Sequence, residues 1–207
     1  MRAITLILLL PLTLIADDQK DAKDVRKPKS GPTPGTTPRV FYVKDCTGKF
    51  SREIKTCYRC NYGIRPVVGV FGRELDQNTI KLLQGLDKQL DVHHKAEKNV
   101  AKQLAGFFVL ITDNPDAGAA KIKRLQRKLK LRHVPLTVFD GTDGPPGYRI
   151  NKDAAVTVSM WVRSAVKTNT VFAKKTDMKE AAIKKLLAST TKIAPNPKKT
   201  TNSGSKS

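Results

Sequence analysis

The chain has 207 residues, room for one domain with tails but not for two full-sized domains. Lys and Arg number 39 against 18 Asp and Glu, a formal charge of +21. Only 39% of residues are hydrophobic, so part of the chain is expected not to fold.

The chain opens with Met1-Arg2, an almost wholly apolar run from Ile4 to Ile15, and Ala16 before Asp17-Asp18. A short positive start, an apolar core and a small residue before charge predict a cleaved signal peptide over residues 1–16. The run is too short to span a bilayer, so no stable membrane span is expected after cleavage. The protein is thus expected to be exported, to the periplasm or the cell exterior, where cysteines can pair. Residues 17–39 mix charges and then run into Pro, Gly and Thr without apolar period, and read as a disordered linker. Residues 192–207 read the same way, as a disordered basic tail. The foldable body is therefore residues 40–191.

Within the body, Val40–Val43 suggests a short strand. Pro66–Phe71 is continuously apolar, as a strand buried on both faces would be. Asp76 caps an expected helix with Ile80, Leu83, Leu86 and Leu90 at helical spacing. Phe107–Ile111 is a second buried strand. A helix over about 115–131 follows, with Pro115 in its first turn and Ile122, Leu125 and Leu129 on one face. Val134–Phe139 and Val156–Val162 are further strands, and a turn at Arg163-Ser164-Ala165 leads to a hairpin partner over Val166–Phe172. A last helix is expected from Asp177, with Glu180 three residues on as a capping box. Parallel strands with crossover helices followed by a hairpin predict an α/β fold, a mixed central sheet with helices on both faces.

Cys57-Tyr58-Arg59-Cys60 is the sharpest chemical feature. Two intervening residues let both sulfurs meet in a tight turn, and Lys55, Arg59 and Arg65 favour thiolate. The motif is expected on a loop ahead of the strand. Three readings stay open: a thiol–disulfide redox pair, a structural disulfide (Cys57–Cys60, or either with Cys46), and half a zinc site. No second cysteine pair has zinc spacing, and adjacent His93-His94 cannot share a helix face, so no metal or other cofactor is expected and both histidines are read as exposed. Lys121, Lys123, Arg124, Arg127, Lys128 and Lys130 share a helix with Ile122, Leu125 and Leu129. They are either its solvated face or a patch for a polyanion; aromatics that would stack on bases are absent from it. Met160 and Trp161 point oppositely along a strand and read as packing residues.

The element order and the residues at its joints resemble the thioredoxin-like superfamily, nearest its redoxin and peroxiredoxin branch. "FYVKDCTGKF" is similar to the family's opening strand and Asp-x-x-Gly turn, here Asp45 and Gly48. "RPVVGVF" is similar to its first central strand. "VPLTVFDGTDGPPGYRINKDAAVTVSMW" is similar to its strand, Tyr-containing segment and next strand, here with Tyr148. "CYRCNYGIRPVVGVFGRE" resembles a group of exported bacterial thioredoxin-like proteins with Cys-Tyr-x-Cys at this place. The resemblance covers roughly residues 40–190. It implies a thioredoxin-like three-layer sandwich and thiol–disulfide exchange with protein thiols, with Cys57 attacking and Cys60 resolving. Two positions depart from it: Gly72-Arg73-Glu74-Leu75 holds no cysteine where the family's reactive one opens a helix, and Ala154-Ala155 stands where the family has cis-proline. A non-catalytic binding protein of the same fold, with structural cysteines, is the alternative it leaves.

Overall fold

Apolar side chains that alternate across a pleated strand cover both faces of a sheet, and here they assemble one six-stranded sheet. The computed structural model describes residues 28–52 and 55–195; the expected signal peptide and the last residues of the chain lie outside them. The strands are β1 (Lys44–Asp45), β2 (Val67–Gly72), β3 (Ala105–Thr112), β4 (Leu136–Asp140), β5 (Val156–Val162) and β6 (Ala165–Phe172), in the order β1-β4-β3-β2-β5-β6. The two continuously apolar runs are the innermost pair. β2 and β3 run parallel with Val67 opposite Ala105, and every residue of β2 is buried. β4 continues the parallel set beside β3, while β5 returns antiparallel to β2 and forms a hairpin with β6. Arg163 and Ser164 turn that hairpin in the left-handed region, at φ 51° and 57°, as a two-residue turn matching strand twist requires.

The helices are α1 (Tyr58–Tyr62), α2 (Gln77–Ala96), α3 (Pro115–Leu129) and α4 (Glu180–Ala188). The Asp76 carboxylate accepts the Thr79 N–H at 2.8 Å and starts α2; Asn114 does the same for Ala117 at the head of α3. The layers are unequal. Val68, Val70, Phe108, Leu110, Val138, Val158 and Met160 form one face, covered by α2, α3 and α4 together. The step from β3 to β4 continues in the same direction as that from β2 to β3, so a right-handed crossover lays α3 beside α2. The other face, Val67, Phe71, Phe107, Val109, Ile111 and Trp161, is covered by α1 and by the extended segments carrying Phe41, Tyr148 and Ile150. Met160 and Trp161 thus pack on opposite faces, as their alternation predicts. Among the described residues no helix is long and apolar enough to cross a membrane.

Four expectations need correction. The opening strand is β1 at Lys44–Asp45, with only a single bridge from Val43 to Thr56 upstream. The last helix begins at Glu180, because Asp177 closes a 3-10 turn by accepting the Lys174 N–H and leaves α4 without a side-chain cap. Residues 28–38, expected in the linker, run along the free edge of β6. Gly35 donates to the Val166 carbonyl, Val166 donates to that of Thr36, and the Ser30 hydroxyl meets that of Thr157 at 2.6 Å. A Pro- and Gly-rich strap carries no apolar period, so its order comes from backbone groups completing a sheet edge. At the other end Ile193 and Ala194 are buried, so the body runs past residue 191.

Candidate redox site

Cys57 and Cys60 form a disulfide, with Sγ atoms 2.05 Å and Cα atoms 5.2 Å apart. This pairing overturns both alternatives that joined Cys46 to one of them. The motif does not sit in a loop as expected: Cys57 is the N-cap of α1, and its Sγ accepts the Cys60 N–H at 3.1 Å. Gly63, at φ 56°, ends the helix after five residues with its N–H shared between the Arg59 and Cys60 carbonyls. Cys57 is 5% exposed whereas Cys60 is open to solvent.

The helix is held from beneath by Tyr58. Its ring stacks on Phe107 at 5.7 Å, and its hydroxyl donates to Asp45 at 2.6 Å. The Asp45 carboxylate also accepts the N–H groups of Thr47, Gly48 and Phe50. Gly48 is required there, since a Cβ would collide with the Tyr58 hydroxyl and with Pro135. The Asp-x-x-Gly turn therefore anchors the disulfide helix to the sheet. This coupling was not visible in the sequence, where Asp45 and Tyr58 are separated by 13 positions.

The cations expected around the pair divide. Arg59 Nε donates to the Pro38 carbonyl, and Arg65 donates to the Gln103 and Leu104 carbonyls. Burial lowers the pKa of Arg65, opposed by neighbouring Tyr62. Lys55 is exposed. Beyond β2, Gly72-Arg73-Glu74-Leu75 leads into α2 with Asp76 as cap and no thiol. The disulfide belongs instead to the segment before β2, on the face of the sheet opposite α2.

Cys46 is the remaining free thiol and is buried, its Sγ directed at the Lys44 carbonyl. Burial, with Asp45 alongside, pushes its pKa up to about 11. A thiol with so high a pKa stays protonated and unreactive at ordinary pH. Native protein treated with iodoacetamide at pH 8 is expected to keep Cys46 unmodified, while urea exposes it; peptide mass analysis distinguishes the two.

Lys121, Lys123, Arg124, Arg127 and Lys128 of α3 and Lys130, its C-cap, are all exposed, and Ile122 and Leu129 face inward. The expectation of exposed histidines fails for His93, which is 6% exposed. It lies three residues past Leu90 and seven past Leu86, on the buried stripe of α2, and that spacing was the available signal. His94 is half-buried, bonded through Nε2 to the Leu104 carbonyl and edge-on to the His133 ring at 4.9 Å. Among the described residues no group of three His, Cys, Asp or Glu side chains gathers as metal ligands.

No family model and no curated protein matches the chain. Solved structures do. A Bacteroides thetaiotaomicron protein described as a protein disulfide isomerase superposes with a TM-score of 0.57 at 15% identity, over 81% of this chain and 94% of that one. The mitochondrial 2-Cys peroxiredoxin of Plasmodium falciparum gives 0.53 at 10% identity, over 78% and 94%. A secreted thiol-disulfide isomerase of Corynebacterium glutamicum gives 0.50 at 10% identity, over 76% and 82%. At such identities the likeness establishes the fold, which is thioredoxin-like.

Proposed function

We propose that this thioredoxin-fold chain is an exported thiol–disulfide exchange protein that works through Cys57 and Cys60. The observation that carries the reading is a Cys-x-x-Cys disulfide that joins one residue exposed to solvent to one that is buried. The residue open to solvent is the one an incoming thiolate approaches, so exposure favours Cys60 as the exchanging residue and Cys57 as its internal partner. This is the reverse of the order implied by the family resemblance. A substrate thiolate attacks Cys60 Sγ, the Cys57–Cys60 bond breaks, and Cys57 leaves as a thiolate that the Cys60 N–H can stabilise. A second substrate thiolate attacks the mixed disulfide and releases Cys60. The substrate is oxidised by two electrons to a disulfide, and the protein is reduced to a dithiol. Reoxidation needs an external disulfide acceptor; the reverse sequence would reduce a substrate disulfide. The compartment is the oxidising one to which the signal peptide expected at residues 1–16 would deliver the chain.

The test is oxidation of a fluorogenic peptide dithiol with oxidised glutathione as acceptor. Wild type and Cys46→Ser are expected to turn over alike, Cys60→Ser to lose at least a hundredfold in rate, and Cys57→Ser to accumulate a mixed disulfide at Cys60. Rates unchanged in Cys60→Ser would refute the reading.

A second reading, polyanion binding by α3, is favoured by the exposure of five cations on this helix and of Lys130 at its C-cap. Retention on a sulfated matrix at pH 7 is expected to fall when Arg124, Arg127 and Lys128 are changed together to Gln, with the elution salt dropping clearly. An unchanged elution position would leave these side chains as an ordinary solvated face.

A further inference from the structure

Two tethers lay an extended segment alongside the disulfide motif. Val43 and Thr56 exchange both backbone hydrogen bonds at 2.9 Å, and Arg59 Nε donates to the Pro38 carbonyl at 3.1 Å. Residues 38–43 therefore run antiparallel to residues 56–59, which lead directly into Cys60. Burial alternates along the segment as in a strand. Phe41 and Val43 turn into the core, while Val40 and Tyr42 are 51% and 58% exposed. Arg39 beside them is exposed, and so is Lys55, two residues before Cys57.

The charge of this surface has one sign. Residues 38–44 and 55–61 hold four cations, Arg39, Lys44, Lys55 and Arg59, and no acid. Lys44 is paired with Asp116, and Arg59 is tied to the Pro38 carbonyl. Arg39 and Lys55 have no ion-pair partner among the described residues. Asp45, beneath Tyr58, is buried, and its carboxylate already accepts four hydrogen bonds, so it is not offered to a partner. Single exposed apolar side chains are ordinary on a surface. Here two of them share one short segment, lie among unpaired cations and adjoin the exposed member of a disulfide.

Resting on the exchange reading, we propose that this strip docks an acidic peptide segment carrying the substrate thiols. Its carboxylates meet Arg39 and Lys55, and an apolar side chain lies over Val40 and Tyr42, which brings the substrate thiolate to Cys60. Complementary charge raises the encounter rate and selects among partners.

The test is single-turnover oxidation of a peptide dithiol by the oxidised full-length protein, one peptide flanked by Glu and another by Lys. The peptide becomes a disulfide as Cys57–Cys60 becomes a dithiol. Each rate is divided by that of the same peptide with hydroxyethyl disulfide, which removes the effect of the flanks on thiol acidity. The Glu-flanked peptide is expected to react at least about tenfold faster at low salt, and the ratio to approach one in roughly 0.5 M NaCl. Arg39→Glu with Lys55→Glu should abolish the preference. Lys185→Glu with Lys192→Glu makes the same change in net charge on the side of the sheet that carries α4, and should preserve it. Tyr42→Ser, which keeps every charge, should slow both peptides by about threefold. If neither peptide is oxidised by wild type, the exchange reading fails and the docking proposal with it. The docking proposal alone is overturned if both peptides react at equal relative rates, if the two charge reversals act alike, or if Tyr42→Ser changes neither rate.

Discussion

Trp161→Ala is expected to destabilise the protein by about 3–5 kcal/mol, the range for truncating a large buried aromatic. Trp161 is 1% exposed and meets Phe107 edge-on at 5.9 Å, in the middle of the sheet face that carries α1. It also fills the space over Gly69, where a Cβ would come within 2.9 Å of the indole. For a domain of this size each kcal/mol moves the melting temperature by roughly 2–4 °C, so circular dichroism should record a fall of roughly 6–20 °C. Val92→Ala, at a residue 65% exposed, should change stability by less than about 0.5 kcal/mol. The pair at Gly69 is diagnostic. Gly69→Ala is destabilising alone, and the penalty should shrink in the Trp161→Ala background, where the colliding ring is gone. A drop of under about 3 °C for Trp161→Ala would mean that this face is not packed as described.

Asp45→Ala is expected to cost about 3–5 kcal/mol through a different mechanism. No cavity of note forms; instead three backbone N–H groups and the Tyr58 hydroxyl lose their common acceptor. Each buried donor left unpaired costs on the order of 1–3 kcal/mol, less where water can enter. Tyr58→Phe removes a single bond and should cost about 1–2 kcal/mol. In the Asp45→Ala background Tyr58→Phe should cost less, because the hydroxyl it deletes is already stranded. Since Tyr58 anchors α1, Asp45→Ala should also speed reduction of the Cys57–Cys60 disulfide by a monothiol, whereas Trp161→Ala should affect it less. Stopped reduction with timed alkylation measures both. Equal stability of wild type and Asp45→Ala in urea would show that the turn does not carry α1.

The parts of the fold that were legible in sequence are those whose signal is local. Val67–Gly72 and Phe107–Ile111 are apolar without interruption, and only strands covered on both faces tolerate that. Asp76 caps its helix through a side-chain bond spanning three residues, and Pro115 stands in the first turn of α3. What escaped is held by distant partners. The strap at residues 28–38 is polar and Pro-rich, and it is ordered by partners distant in sequence, the edge of β6 together with Arg149, Asn151 and Thr157. Asp177 carries a capping signature, but its acceptor goes to Lys174 in a 3-10 turn, so α4 starts later. Adjacency to His94 makes His93 read as exposed, whereas its 3.6-residue period with Leu86 and Leu90 determines its burial. The Cys-x-x-Cys was legible as chemistry but not as geometry. Its place before β2, rather than after it, was plain, yet nothing local told that Cys57 caps a helix or that Cys60 is the exposed residue of the pair.

The most direct test is a linkage map of protein isolated without reductant, repeated after graded native reduction. Wild type should yield a Cys57–Cys60 peptide and a separate Cys46 thiol. Mild dithiothreitol should then open the pair reversibly, with two alkyl labels on Cys57 and Cys60 and none on Cys46. A bridge from Cys46 to either residue, or a Cys57–Cys60 bond that resists reduction until the protein unfolds, would contradict an exchanging pair.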